Sequence, residues 1–176
     1  MKGRGYQYLQ AVLGSTLVSA IAGLSMLLSA TAANAQAAYG SYVGLGAAVG
    51  FTSDDNGDGD GLSGVIAGRY RFLKMPISLR AQVFFGDGLA LVPTVSYDYP
   101  LNWNTDIYIG AGLAFTPGDD VSPVGDKTSF VLQPGVDYAF PTMPLVLFGN
   151  AVIAFDAFRE GGGTAVSVQG GVGYQF

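Results

Sequence analysis

The sequence predicts an all-β fold, an eight-stranded antiparallel up-and-down barrel that spans a membrane, and three observations predict it. First, the last twelve residues alternate without a break: Val166, Val168, Gly170, Val172, Tyr174 and Phe176 form one face, and Ala165, Ser167, Gln169, Gly171, Gly173 and Gln175 the other. A period of two over that length is a strand signal. Second, the aromatic ending recurs, because Tyr70 and Phe72, Tyr97 and Tyr99, and Tyr138 and Phe140 close earlier alternating runs as Tyr174 and Phe176 close the last one. Four strands with paired same-face aromatics at one end are what a membrane-interface girdle requires. Third, the runs are about ten residues long, enough to cross a bilayer when tilted.

Strand one is expected over 39–51, with Val43, Leu45, Ala47, Val49 and Phe51 on a greasy face and Tyr42 among glycines and alanine on the other. An acidic connection, 52–61, follows. Strand two (62–72) sets Ile66, Tyr70 and Phe72 against Ser63, Ala67, Arg69 and Arg71, and Leu73-Lys74-Met75-Pro76 turns the chain. Strand three (77–85) sets Ile77, Leu79, Ala81, Val83 and Phe85 against Ser78, Arg80, Gln82 and Phe84. After a tight Gly-Asp-Gly turn, strand four (89–99) sets Leu91, Pro93, Val95, Tyr97 and Tyr99 against Ala90, Val92, Thr94, Ser96 and Asp98. The 100–105 return holds the single tryptophan, Trp103.

Strand five (106–115) alternates Ile107, Ile109, Ala111, Leu113 and Phe115 with Tyr108, Gly110, Gly112 and Ala114, and a second acidic loop spans 116–127. Strand six (128–140) sets Phe130, Leu132, Pro134, Val136, Tyr138 and Phe140 against Ser129, Gln133, Gly135 and Asp137. Strand seven (145–158) sets Leu145, Leu147, Ala151, Ile153 and Phe155 against Phe148, Asn150, Ala154 and Asp156, and a Gly-rich loop leads into strand eight. Pro93 and Pro134 cannot donate to a ladder, so a local bulge is expected at each.

The halves echo one another. Tyr42-Val43-Gly44-Leu45-Gly46 returns as Tyr108-Ile109-Gly110-Ala111-Gly112, and Tyr70-x-Phe72-x-x-Met75-Pro76 returns as Tyr138-x-Phe140-x-x-Met143-Pro144. A four-strand unit used twice explains both.

Composition removes whole classes of chemistry. The chain has 176 residues, enough for one domain, with 27 glycines, 11 phenylalanines, 10 tyrosines, no cysteine and no histidine. There is accordingly no disulfide, thiol chemistry or acylation site, and the commonest general base and metal ligand is absent. Residues 1–35 read as a secretory signal peptide: Lys2 and Arg4, an apolar stretch from Leu9 to Leu28, and Ala33-Asn34-Ala35 as the cleavage site. The domain of interest is then 36–176. Without Lys2 and Arg4, six basic residues face thirteen acidic ones, a net charge of −7, and no nucleic-acid partner is expected.

Polarity alone also permits a soluble, lipocalin-like barrel, with the greasy face inward. Geometry decides against it. About five large residues per strand overfill an eight-stranded interior, whereas the glycine, alanine and scattered polar groups of the other face suit a narrow lumen. That face carries Arg69, Arg71, Arg80, Asp98 and Asp137, with Asp106 and Asp156 at its rims. Buried charges persist when paired, so an ionic network across the lumen is expected. The girdle is expected from Tyr70, Phe72, Tyr97, Tyr99, Tyr138, Phe140, Tyr174 and Phe176.

On these features residues 40–176 resemble the small eight-stranded outer-membrane barrels, the outer-membrane protein A and outer-membrane protein X-like, porin-like group. Val172-x-Tyr174-x-Phe176 is similar to the signal by which such proteins are recognised by the barrel assembly machinery. The resemblance implies an outer-membrane location, contact with outer-membrane lipids, and short turns and both termini on the periplasmic side. It implies no wall-binding domain.

Asp54-x-Asn56-x-Asp58-Gly59 matches the first half of a calcium loop, but position twelve is Val65 rather than a bidentate Glu. A solvated acidic loop is the expected reading, with no metal and no cofactor. Catalysis is not expected, since a nucleophile here has no histidine to activate it. What remains is a non-enzymatic structural or surface-interaction protein of the envelope; the alternative is a narrow diffusion channel, for which the glycine stripes beside Tyr42 and Tyr108 leave room.

Overall fold

The computed structural model describes residues 40–52, 61–86, 88–117, 120, 122–159 and 162–176. The expected signal peptide and the half-motif at 54–60 lie outside the described residues. Eight strands follow one another: β1 (Tyr42–Gly50), β2 (Leu62–Arg71), β3 (Ile77–Phe85), β4 (Ala90–Pro100), β5 (Thr105–Ala114), β6 (Ser129–Ala139), β7 (Leu145–Phe155) and β8 (Ala165–Gln175). Each pairs antiparallel with the next, and β8 closes on β1. Closure matters because in hydrocarbon every backbone donor must find a partner within the protein, and a barrel has no open edge.

The alternation resolves as lipid-side out. Leu45, Ile109 and Val172 are 65%, 57% and 46% exposed on the outer wall, while Arg80 is 5% and Asp98 0% exposed inside. A belt this apolar on all sides is far larger than the patches a water-soluble monomer displays.

Pro93 and Pro134 do not form bulges. Pro93 faces Ala81 in an unbroken β3–β4 ladder, and Pro134 faces Ile109 in an unbroken β5–β6 ladder. On the other side of each the ladder is interrupted. Between β4 and β5, Thr94 pairs with Gly112 and Leu91 with Phe115, with no pairing between; between β6 and β7, Leu132 pairs with Ile153 and Gly135 with Asn150, again with a gap. The register across both gaps is unchanged, so no extra residue is inserted. A missing N–H leaves a hole in a ladder; a bulge needs an additional residue.

The sequence repeat is matched by a structural one. Phe72 N–H donates to Ile77 O at 3.0 Å and Phe140 N–H to Leu145 O at 2.9 Å; Pro76 O accepts from Asp98 N–H, and Pro144 O from Gln175 N–H, both at 2.9 Å. Tyr70 and Phe72 meet edge-on at 5.5 Å, as Tyr138 and Phe140 do at 5.3 Å.

β7 ends earlier than its pattern suggests. Asp156 adopts a positive φ of 53°, a left-handed conformation that Asp tolerates. The chain then turns Ala157 and Phe158 into the buried cluster, and Asp156 leaves the lumen to pair with Lys127 at 2.7 Å on the surface.

Candidate functional site

From the short-turn end to the loop end, the inward positions of several strands change character in step. β3 reads Ser78, Arg80, Gln82, Phe84; β6 reads Asp137, Gly135, Gln133, Val131; β7 reads Val146, Phe148, Asn150, Val152. The interior is therefore built in tiers.

The lowest tier is ionic. Asp98 accepts from Arg69 Nη2 at 2.9 Å, Arg80 Nη2 at 3.2 Å and Ser96 Oγ at 2.9 Å, and also from Ser78 Oγ. Asp137 accepts from Arg69 Nη1 at 3.0 Å, Arg80 Nη2 at 2.8 Å and the Tyr42 hydroxyl at 3.0 Å. Arg71 reaches the network through Asp106, which it shares with Arg69, at 2.7 and 3.0 Å. The remaining Nε–H groups donate to Ser78 from Arg69 and to Ser96 from Arg80. Taking such ions out of water costs several kcal/mol each, offset only when geometry and hydrogen bonds are nearly complete. Here each buried carboxylate has at least three donors.

Aromatic rings fill the space around these charges. The Arg80 guanidinium lies 3.3 Å from the Tyr108 ring centroid, a cation–π contact strengthened by the dry surroundings. Tyr42 stacks on Phe148 with centroids 5.9 Å apart. The glycine stripes of β1 and β5, expected to leave room beside Tyr42 and Tyr108, are filled unevenly: a Cβ on Gly44 would meet the Phe148 ring at 2.9 Å, whereas one on Gly110 would be in ordinary contact with Gln133 at 3.5 Å. On the neighbouring strands, glycines act as sockets for the two tyrosines. A Cβ on Gly173 would meet the Tyr42 ring at 2.7 Å, and one on Gly135 would collide with the end of the Tyr108 ring.

Above lies an amide tier. Asn150 Oδ1 accepts from Gln82 at 3.3 Å and Gln133 at 3.1 Å, and from Gln169; Gln169 also donates to Gln82 at 3.1 Å, and Thr94 to Gln133 at 2.5 Å. The top tier is apolar: Val65, Phe84, Val92, Val131 and Val152 are fully buried, and Val124 and Phe158 come in from the loops above. At the opposite, short-turn mouth is a pocket of about 40 Å³ bounded by Arg69, Arg71, Trp103 and Asp106.

The outer wall carries two aromatic belts. Tyr70, Tyr97, Tyr99, Tyr138, Tyr174 and Phe176 are exposed at the short-turn end, with Phe72 and Phe140 half-buried beside them. Phe51, Phe85, Phe115, Phe130 and Phe155 are exposed toward the loops. Val172 and Tyr174 point outward on β8, and Phe176, one residue past its end, is exposed as well.

No protein-family model matches the chain, and no curated protein matches it in sequence. Solved structures do. The chain is similar to the crystal structure of Neisserial surface protein A, at 20% identity and a TM-score of 0.55, covering 78% of this chain and 97% of that one. It is also similar to a de novo designed transmembrane β-barrel, at 12% identity and a TM-score of 0.50, covering 77% and 95% respectively. Its fold is that of the eight-stranded transmembrane barrels.

Within that transmembrane barrel, Arg69, Arg71, Arg80, Asp98 and Asp137 come together, with Asp106 as a further member. Tyr42, Tyr108 and Phe148 complete the tier and were not singled out as site residues. Their one signal in the sequence is an inward-facing aromatic on a strand whose inward neighbours are small. The amide tier was legible only as polar residues at alternate positions.

Proposed function

We propose that this chain is an integral outer-membrane protein of a Gram-negative envelope with a non-enzymatic structural or surface-interaction role. Its signal peptide, residues 1–35, is removed on export, and the barrel assembly machinery recognises the strand carrying Val172, Tyr174 and Phe176. The short turns and both termini face the periplasm, and the longer acidic loops face outward. Similarity of fold to a neisserial surface protein supports the location. The three interior tiers carry the reading of function: an ionic network, an amide layer and an apolar layer occupy the lumen in succession.

The lumen's hydroxyls at Ser78 and Ser96 are engaged with Asp98, whose charge is taken up by two arginines. That arrangement supports a structural role for these groups over a nucleophilic one. The channel alternative loses part of the support it drew from the glycine stripes, because the Phe148 ring lies against Gly44 on β1. Planar-bilayer recording tests the reading directly. The purified barrel is expected to give no conductance steps, and stable unitary steps would overturn the closed-lumen reading in favour of a channel.

A further inference from the structure

We propose that an open groove on the short-turn side, between the β2–β3 and β4–β5 turns, seats the phosphodiester headgroup of an anionic glycerophospholipid of the phosphatidylglycerol type. The inference rests on the membrane-spanning reading and adds a lipid specificity to it. The groove, about 630 Å³, is lined by Arg71, Lys74, Met75, Asn102, Trp103 and one carboxylate, Asp106. It adjoins the girdle, since Tyr70 and Phe72 lie at the end of β2, and Tyr97 and Tyr99 at the end of β4. Headgroup depth is where such aromatic rings sit.

Charge selects the occupant. Lys74 is exposed and makes no ion pair among the described residues, and Arg71 is partly exposed with Asp106 as its acidic partner. The other acids of this end, Asp98 and Asp137, are buried and saturated by arginine. The remaining acids among the described residues, Asp120, Asp126 and Asp156, lie on the opposite side. A compact ammonium beside a guanidinium suits a phosphate, and the exposed Leu73, Met75 and Leu101 offer apolar surface to the glycerol and upper acyl chain. Trp103, on the groove's lining, is 97% exposed. The repeat supplies an internal control: the matching turn, Pro141-Thr142-Met143-Pro144, has Thr142 in the place of Lys74, and its own groove carries no cation.

Trp103 is the only tryptophan of the chain and reports on its own surroundings. The full barrel is refolded into phosphatidylcholine vesicles containing a small, equal mole fraction of either brominated phosphatidylglycerol or brominated phosphatidylcholine, and Trp103 quenching is followed. Each near-surface cation favours anionic lipid roughly fivefold. Brominated phosphatidylglycerol is therefore expected to enrich beside Trp103 by roughly fivefold or more over phosphatidylcholine. K74T, which copies the other turn and leaves the barrel folded by its heat-modifiable gel migration, is expected to lose roughly fivefold of that preference. Equal quenching by the two lipids, or a preference unchanged in K74T, overturns the proposal. A change in Trp103 emission on adding inorganic phosphate to vesicles of phosphatidylcholine alone overturns it in favour of a soluble anion. Quenching by neither lipid overturns the membrane-spanning reading itself.

Discussion

Asp137 shows what a single residue does in this interior. Its carboxylate takes hydrogen bonds from Arg69, Arg80 and Tyr42, so D137A takes one acidic partner from two buried guanidinium groups at once and leaves Asp98 to serve both. Removing one partner of a buried ion pair costs about 3–5 kcal/mol. D106A, at the rim, removes a partly exposed carboxylate whose arginines keep water or other partners, and is expected to cost clearly less. Urea titration of the refolded barrel in detergent, read by its gel-mobility shift, separates the two; equal losses would mean the lower tier is wetter than its geometry implies. Glycines allow a second single-residue test. G135A drives a methyl group into Tyr108 and toward Asn150, whereas the nearest atom to a Cβ on Gly68 is the Ala81 carbonyl oxygen at 3.9 Å. G135A is expected to destabilise by about 1–3 kcal/mol as an overpacked site, and G68A to be neutral in the same titration.

Among elements, β4 and β6 are where chain chemistry and ladder disagree. Pro93 stands opposite Leu113, and Pro134 opposite Ala151, at positions where a ladder donor belongs. In a bilayer the carbonyl left without a donor has no water to turn to. The double variant P93V/P134V restores both N–H groups, and each added hydrogen bond is worth about 1 kcal/mol. The expected result is a gain of about 1–2 kcal/mol, with slowed amide exchange at Leu113 and Ala151; faster exchange there would show that the prolines hold the local twist. The prolines were visible in the sequence, yet bulge or gap could not be chosen from it, because that choice depends on whether the next strand keeps register. The end of β7 was hidden for a similar reason. Phe155, Asp156, Ala157 and Phe158 continue an alternating pattern, and only the left-handed Asp156 reveals that the chain has turned. Strand existence, order and facing were legible throughout, because each rests on a local period of two.

At the scale of the whole barrel, contacts across the lumen were beyond the sequence. Arg69 meets Asp137, and Tyr42 meets Phe148, on strands that share no ladder. Such meetings are set by closure and strand tilt, which no single segment encodes. What the sequence did carry was the sign of the sidedness, and the outer wall offers the sharpest test of it. Leu45 and Val172 pair across β1 and β8 near the middle of both strands, whereas Tyr174 lies at the end of β8. In a bilayer, an arginine on the outer face costs about 2–4 kcal/mol at mid-depth and about 0–1 near the interface. L45R is therefore expected to lose the larger amount and Y174R the smaller, measured by reversible unfolding from phospholipid vesicles. A barrel working in water would show no such dependence on depth, since arginine at either exposed position is cheap there. The depth dependence matters more than either value. General damage to folding would not follow position along β1 and β8, and lipid solvation must.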